Sequence, residues 1–522
     1  MTQQESEDHI VPEDRRKPVQ TPRDVVPAGG KVVSVKQAGQ QLLLTFATAE
    51  NPRNTRGPGR HPTTDRSVGR GRPEPKAKAQ RKTAGPATME EVVKRLPTAF
   101  DKVATNKGAP GPDRQTIEEV RKHFPSVVRQ LHTGLLEGTY RPGDIRRVWI
   151  PKAGGGERGL GIPNVIDRMV QEAVRDVLEP LYEPTFHPSS HGFRPERGCQ
   201  TAIAEALGYV VEGFHWVVDM DLEKFFDRVH HQRLLARLGK RVEDRRLLTL
   251  IGRMLKAQVV MPDGVKVSTE EGVPQGGPLS PLLSNIVLSE LDEELSRRGH
   301  RFVRYADDCN IYVRSERAGT RTMASITRFI ESRLRLKVNA KKSAVARPET
   351  RHFLGYRLHP REGKSVEILL SERSERRLSE RILEITPRNR GQSLTAIVSK
   401  INGYLTGWFG HFRVCTQGVE RVIQGADAHI RRRLRAITLK HWKTKRTTAR
   451  RLIRLGISPK TAWRRVYEGR KSIWALSHDP AVDRGLRNAY FAERGLVTLR
   501  ERFEAVWAAT VARRQQLLLP FG

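Results

Sequence analysis

Cysteine is almost missing from these 522 residues. The three present, Cys199, Cys309 and Cys415, lie far apart and form no Cys-x-x-Cys pair. That excludes a disulfide framework and a cysteine-built zinc finger, and the expected compartment is the cytoplasm. No apolar run approaches the roughly 18 residues of a membrane span, and there is no signal peptide, so no membrane partner is expected. Aromatic residues make up only 6% of the chain, so stacking sites must be few and local. Acids are scarce relative to bases: 58 Asp and Glu against 94 Lys and Arg leave a formal charge of +36 and a pI near 10.7. Such an excess favours a polyanionic partner, because each cation that meets a phosphate releases a condensed counterion.

The length leaves room for two to four domains. Residues 1 to about 85 stand apart. Between Asn51 and Lys82 ten Lys or Arg face two acids, Asp65 and Glu74, among frequent Gly and Pro. Such a stretch cannot bury enough surface to offset the entropy of ordering, so disorder is expected over 1–85. It reads as a nucleic-acid-binding arm or as a dispensable extension, with Met89 a candidate start of a sufficient protein. From Met89 to about Leu358 helices and short strands alternate. Val165-Ile166, Met169-Val170, Ala173-Val174 and Val177-Leu178 recur at the spacing of a half-buried helix. From Ser371 onward the pattern is helical. Leu394, Val398, Ile401, Leu405, Trp408 and Phe412 form one apolar stripe, and Pro387 closes the helix before it. Arg431 to Arg454 carries eleven Lys or Arg and no acid. A solvated helix face is the ordinary account of a charge run, but so many uncompensated positives repel one another and favour a polyanion. Trp442, Trp463 and Trp474 lie close by, and the last two are expected in the core.

The chemistry centres on acids at strand ends. Phe302 to Tyr305 and Asn310 to Val313 read as strands joined by a tight connection, a β-hairpin with Asp307 and Asp308 at its tip. Turn chemistry alone could place them there. A second apolar strand, Trp216-Val217-Val218, runs into Asp219-Met220-Asp221. Two-metal nucleotidyl transfer needs carboxylates from separate elements around two Mg²⁺ ions about 3.5–4 Å apart, and Mg²⁺ takes hard oxygen ligands.

With these acids the chain resembles a reverse transcriptase, and in particular the proteins encoded by group II introns. The blocks follow in the family's order: Asn106-Lys107-Gly108-Ala109-Pro110-Gly111, Ile150-Pro151-Lys152, Gly192-Phe193-Arg194-Pro195, Asp221 to Asp227, Pro274-Gln275-Gly276-Gly277-Pro278-Leu279-Ser280-Pro281, Tyr305-Ala306-Asp307-Asp308, Asn339-Ala340-Lys341-Lys342-Ser343 and Phe353-Leu354-Gly355-Tyr356. The resemblance continues into the Gly403 to Arg413 region. It implies an α+β right-hand polymerase. Fingers and palm with a small antiparallel sheet would span 86–365, an α-helical thumb or maturase domain 366–430, and a basic helical DNA-binding region 431–522.

The same resemblance makes Asp221, Asp307 and Asp308 the catalytic acids and the ligands of two Mg²⁺ ions. Period two puts Asp219 on the same side as Asp221. The family's first acid opens the block ending in Phe-Phe-Asp, which selects Asp221 and leaves Asp227 to cap the next helix. Lys152, beside the Gly154-Gly155-Gly156 turn, and Arg168 on the following helix are expected at the triphosphate of the incoming dNTP, with plain surface charge as the alternative. Phe226 is implied under the incoming sugar, or else packs in the core. Gln275 is implied at the nascent base pair, or else serves a structural turn. Lys342 matches a lysine linked to leaving-group protonation. Asn106, Lys107, Gly108 and Arg194 are implied near the template, and Arg431, Arg432, Arg433 and Arg435 on RNA or DNA.

The implied activity is RNA-directed DNA synthesis together with help in intron splicing and mobility. The partners would be group II intron RNA, an RNA template/DNA primer duplex, a DNA target and dNTPs. No nuclease domain with paired cysteines and histidines follows, which matches the endonuclease-lacking, IIC-like class and implies a primer from elsewhere. Two alternatives stay open: a maturase whose polymerase site has decayed, and a non-intron bacterial reverse transcriptase of the diversity-generating or CRISPR-associated kind.

Overall fold

The computed structural model describes residues 86–151, 156–361, 365–387, 391–469 and 471–506. The expected disorder over 1–85 and the expected role of Lys152 fall outside them. The first described helix, α1 (Met89–Thr105), is capped by Thr88, whose hydroxyl accepts from the Glu91 amide. Met89 is the helix's first residue, it is buried, and its amide donates to Asp244 (2.8 Å). In a chain beginning at Met89 the Thr88 cap would be absent and the new amino group would stand on the Asp244 carboxylate.

Two small sheets position the acids. In the first, β1 (Ile145–Pro151) pairs antiparallel with β2 (Glu157–Ile162) and parallel with β4 (Val259–Val260), with β5 (Lys266–Val267) at the edge. Helices α2 (Ile117–Lys122), α3 (Phe124–Leu136) and α4 (Val165–Tyr182) accompany it. The second sheet runs β6 (Arg301–Tyr305), β7 (Asp308–Val313), β3 (Trp216–Met220), β8 (Ala344–Ala346), antiparallel throughout.

Both faces of this second sheet are buried, which is why its strands read as nearly continuous apolar runs. Val218, Phe302 and Ile311 point into a core built with α1, α4 and the helices α7 (Arg245–Leu255) and α8 (Ser280–Arg297). Val217, Val303 and Tyr312 point the opposite way, as strand alternation requires. They join a second core with α5 (Cys199–Val211) and the C-terminal helices. Helix α9 (Glu316–Phe329) lies so close to β3 and β8 that a Cβ on Gly319 would stand 2.4 Å from a Val345 methyl.

Beyond the hairpin of β9 (Tyr356–Pro360) and β10 (Val366–Leu370) the chain is helical: α10 (Glu372–Ile385), α11 (Leu394–Phe412), α12 (Val419–His441), α13 (Lys445–Arg454), α14 (Pro459–Tyr467), α15 (Ile473–Leu476), α16 (Pro480–Gly485) and α17 (Asn488–Ala492). In α11 the stripe buries Val398, Ile401, Leu405 and Trp408, and Ile397 and Phe409 widen it. Residue 365 lies between two paired strands and residue 430 inside α12. Among the described residues no helix is long and apolar enough to cross a membrane.

Candidate active site

Strand register brings the distant acids to one end of the second sheet. Met220 pairs with Cys309 across β3 and β7, so Asp221 leaves β3 beside Asp308. Tyr305 pairs with Asp308 across β6 and β7, which makes Ala306-Asp307 a two-residue turn. Ala306 sits at φ +56°, a conformation that costs a residue with a Cβ roughly 1–2 kcal/mol.

Burial deep in the hairpin stabilises that turn. Arg304 is fully buried and uses its whole guanidinium. It donates to both carboxylate oxygens of Asp292 on α8 (2.7 and 2.6 Å), to Asn285 (3.1 Å), to Ser190 (2.7 Å) and to the Ala306 carbonyl (2.9 Å). Asn285 in turn donates to the Gly192 carbonyl (2.8 Å). A Cβ on Gly192 would stand 2.3 Å from the Ala306 nitrogen, so the Gly-Phe-Arg-Pro block needs its glycine to lie against the turn.

Asp221 is pinned from the other side. Its amide donates to the Ser343 hydroxyl (3.0 Å), and its carbonyl accepts from the Asn339 amide (2.8 Å). The same segment carries Lys342, whose ammonium stands 3.4 Å from the Asp221 carboxylate. Lys341 is exposed as Lys342 is, and its backbone amide donates to the Asn339 side chain. Asp219, on the same strand side as Asp221, is engaged instead by Arg351 (2.9 and 2.5 Å), which also donates to the Lys342 carbonyl (2.7 Å).

The carboxylates feel one another. Burial foremost, and Asp221 beside it, raise the Asp307 carboxyl above its ordinary value, with Arg158 and Lys342 opposing. Asp308 is pushed up to about 7 by surrounding protein that strips its hydration, then by Asp307, Asp221 and Asp219. Its side chain still reaches solvent, so the crowding of like charge is the firmer of these causes. Three hard-oxygen donors that repel one another suit a divalent cation, which would relieve the repulsion. The carboxylates are not closed around one point: among the described residues no three His, Cys, Asp or Glu side chains are grouped to hold a metal ion.

A glycine-bearing loop joins this end to the first sheet. The Val273 amide donates to the Phe226 carbonyl (2.6 Å) and the Gly161 amide to the Gln275 carbonyl (2.7 Å). Gly276, at φ +132°, leaves no room for a Cβ, which would meet the Gly161 carbonyl at 2.4 Å. Phe226 is half-buried and stands edge-on to Phe225, which is the core residue of the pair. Asp227 is exposed in a short turn, and the following helix, α6 (His231–Leu238), is capped by His230 instead.

Several expected contact residues are placed elsewhere. Arg168 is buried beneath the Asn106–Asp113 loop and donates to the Ala109 carbonyl (2.9 Å), so it holds that loop and does not reach outward. A Cβ on Gly108 would collide with its guanidinium at 2.3 Å, while Asn106 and Lys107 are exposed on the same loop. Arg194 is buried too. It donates to Glu183 (2.8 Å) and to the carbonyls of His187 (2.7 Å) and Ser190 (2.8 Å), and so is not offered to a template. Arg433 is buried on Thr386 (2.6 Å), and Arg435 pairs with Asp483 and the Leu486 carbonyl. Arg431 is half-exposed and Arg432 exposed. Trp442 is core, whereas Trp463, expected inside, is 37% exposed, and Trp474 is half-buried.

Three residues of this end were not singled out from sequence. Arg304 was legible as a charge inside an otherwise apolar strand. Arg158 is exposed on β2, and its charge acts on Asp307. Arg351 carries no local signal, because its partner Asp219 is 132 residues away.

Two family models match the chain. Residues 150–358 match the family "Reverse transcriptase (RNA-dependent DNA polymerase)", and residues 375–456 match "Group II intron, maturase-specific domain". The chain is 32% identical over 338 residues to protein YkfC of Escherichia coli (strain K12), an alignment covering 57% of this chain and 86% of YkfC. It is 33% identical over 197 residues to the group II intron-encoded protein LtrA of Lactococcus lactis subsp. cremoris, covering 37% of this chain and 32% of LtrA. A solved partial Cas6-RT-Cas1–Cas2 complex matches at 21% identity over 47% of this chain and 42% of that one, with a TM-score of 0.30. Polymerases of the matched family work with divalent metal ions. The chain belongs to the group II intron reverse transcriptases, RNA-directed DNA polymerases that carry a maturase-specific domain behind the polymerase.

Proposed function

We propose that the chain copies the RNA of a group II intron into DNA at Asp221, Asp307 and Asp308, with two Mg²⁺ ions as cofactor. The observation that carries this is the meeting of Asp221 with the Asp307–Asp308 turn at one sheet end, where burial and the crowding of like charge raise the Asp307 and Asp308 carboxyls above their ordinary value. Bound there, the metal pair would activate the primer 3′-hydroxyl and neutralise charge developing on the triphosphate. The chain's own residues do the rest. Asp221, just past β3, and Asp307, in the hairpin turn, present ligand oxygens from two separate elements, and Asp308 adds charge beside them. Lys342, held at Asp221, is placed to steady or protonate the leaving pyrophosphate. Lys152 and Arg158 would meet the triphosphate of the incoming dNTP. Phe226 supports its sugar, and the Gln275 loop lies along the nascent base pair. In right-hand terms the two sheets are fingers and palm within 86–365, with a helical thumb or maturase domain over 366–430 and a basic DNA-binding region over 431–522.

The helical C-terminal region binds the intron RNA, assists splicing, and grips the template/primer duplex by shape and phosphates. Primer extension on an RNA template with Mg²⁺ tests the reading. Asp221→Asn and Asp307→Asn should each lower extension by about a thousandfold or more while the chain stays folded. Undiminished extension in both would sink it.

A further inference from the structure

We propose that α13 and α14 together form a stacking platform for unpaired bases of RNA. The proposal deepens the RNA-binding half of the function above and rests on it.

Aromatic residues are few in this chain, and their placement is therefore telling. Trp463 and Tyr467 sit one turn apart on α14. Their ring centroids are 5.7 Å apart and the planes are tilted by 31°. Both rings reach solvent, at 37% and 49% exposure. The helix buries its other face, through Ala462 and Val466, against its neighbours. The two rings are thus surplus to the core.

The setting is cationic. Lys445, the first residue of α13, holds its ammonium 5.6 Å from the Tyr467 ring centroid, so the platform spans both helices. The turn between them, Leu455 to Ser458, passes through Gly456 at φ +88° and brings the end of α14 back to the start of α13. From Thr444 to Tyr467 there are eight Lys or Arg and no acid. Among them Arg446, Arg450, Lys460 and Arg464 are exposed.

Exposed flat rings bordered by cations suit a strand whose bases show their faces. A base in a duplex has both faces covered by its neighbours, whereas an unpaired base offers one to an aromatic ring and its phosphate to a nearby cation. RNA is the proposed occupant because Lys445 and the rest of α13 lie inside the segment that matches the maturase-specific domain, which ends at residue 456; the two rings follow just past that match, in the stretch read above as DNA-binding, so a DNA loop is the competing occupant.

The experiment uses the full chain and a hairpin RNA carrying 2-aminopurine in an unpaired loop, beside the same stem closed without unpaired bases. Trp463→Ala and Tyr467→Ala should each weaken loop-RNA binding by roughly five- to a hundredfold and restore the 2-aminopurine fluorescence that stacking quenches. Trp463→Phe should keep most of both, since it keeps a ring. The loss should leave the slope of affinity against salt unchanged, because a ring releases no counterion, while Lys445→Gln should lower that slope by about 0.7. Equal losses on the fully paired stem, unaltered fluorescence, or a loss seen only with a DNA loop would overturn the proposal. Primer extension by the wild-type preparation is read separately. Its absence would overturn the polymerase reading and leave the loop result standing.

Discussion

Asp308 keeps its proton to about pH 7, because it is crowded by protein and by Asp307, Asp221 and Asp219. An unfolded aspartate gives it up near 3.8. Between those limits the folded chain binds more protons than the unfolded one, so stability falls as pH rises and levels off above about 7. Asp308→Asn removes that penalty. With metals chelated, the variant should melt a few degrees higher than wild type at pH 8, a gain of about 1–2 kcal/mol after solvent screening of the exposed side chain, and the gap should close near pH 4. Millimolar Mg²⁺ should raise the wild-type midpoint at pH 8 more than the variant's. A midpoint difference independent of pH would mean that Asp308 titrates normally. The residue scale also marks the limit of sequence reading. Alternation alone left Asp219 and Asp221 on one side of the strand. What separates them is Arg351, which neutralises Asp219 from 132 residues away, a contact that no local pattern encodes.

At the scale of elements, the hairpin itself was legible: two apolar stretches around Ala306-Asp307 announce it, and the register follows. Its rigidity was not, because the support comes from α8 and from the loop at Gly192. Arg304 stood in plain view, yet an arginine in a strand reads as an outward charge until both sheet faces are known to be covered. The buried Asp292–Arg304 pair then acts on the site through the Ala306 carbonyl. Removing one partner of such a pair costs about 3–5 kcal/mol, whereas replacing both by apolar residues can be neutral. Arg304→Met alone should therefore lower both the melting temperature and primer extension. Arg304→Met with Asp292→Leu should recover most of the melting temperature and still extend poorly, because nothing then holds the turn. A double variant that extends like wild type would reduce Arg304 to a packing role.

Over the whole molecule, the charge of +36 is a sum over side chains with different duties. Arg168, Arg194, Arg304 and Arg433 are buried and bonded to the chain itself. Composition counts them with the surface cations, and so did the sequence reading of Arg168, Arg194, Arg433 and Arg435. Helical periodicity in a segment as basic as 431–454 cannot say which arginine faces inward, since too few apolar residues mark the buried side. Arg432 and Arg433 make the separation measurable, because they are neighbours on α12 with opposite exposure. A phosphate contact contributes a slope of about 0.7–0.9 to the logarithm of affinity against the logarithm of salt, whereas an internal hydrogen bond contributes none. Arg432→Ala should lower the slope for structured RNA by up to that amount and leave the melting temperature within about a degree. Arg433→Ala should leave the slope and lower the melting temperature, since it takes the guanidinium from the buried Thr386 carbonyl and leaves the hydroxyl only its bond to the Ile382 carbonyl. If instead both variants flatten the salt dependence alike, α12 turns outward on binding, and burial in the unbound chain is no guide to which of its cations meet RNA.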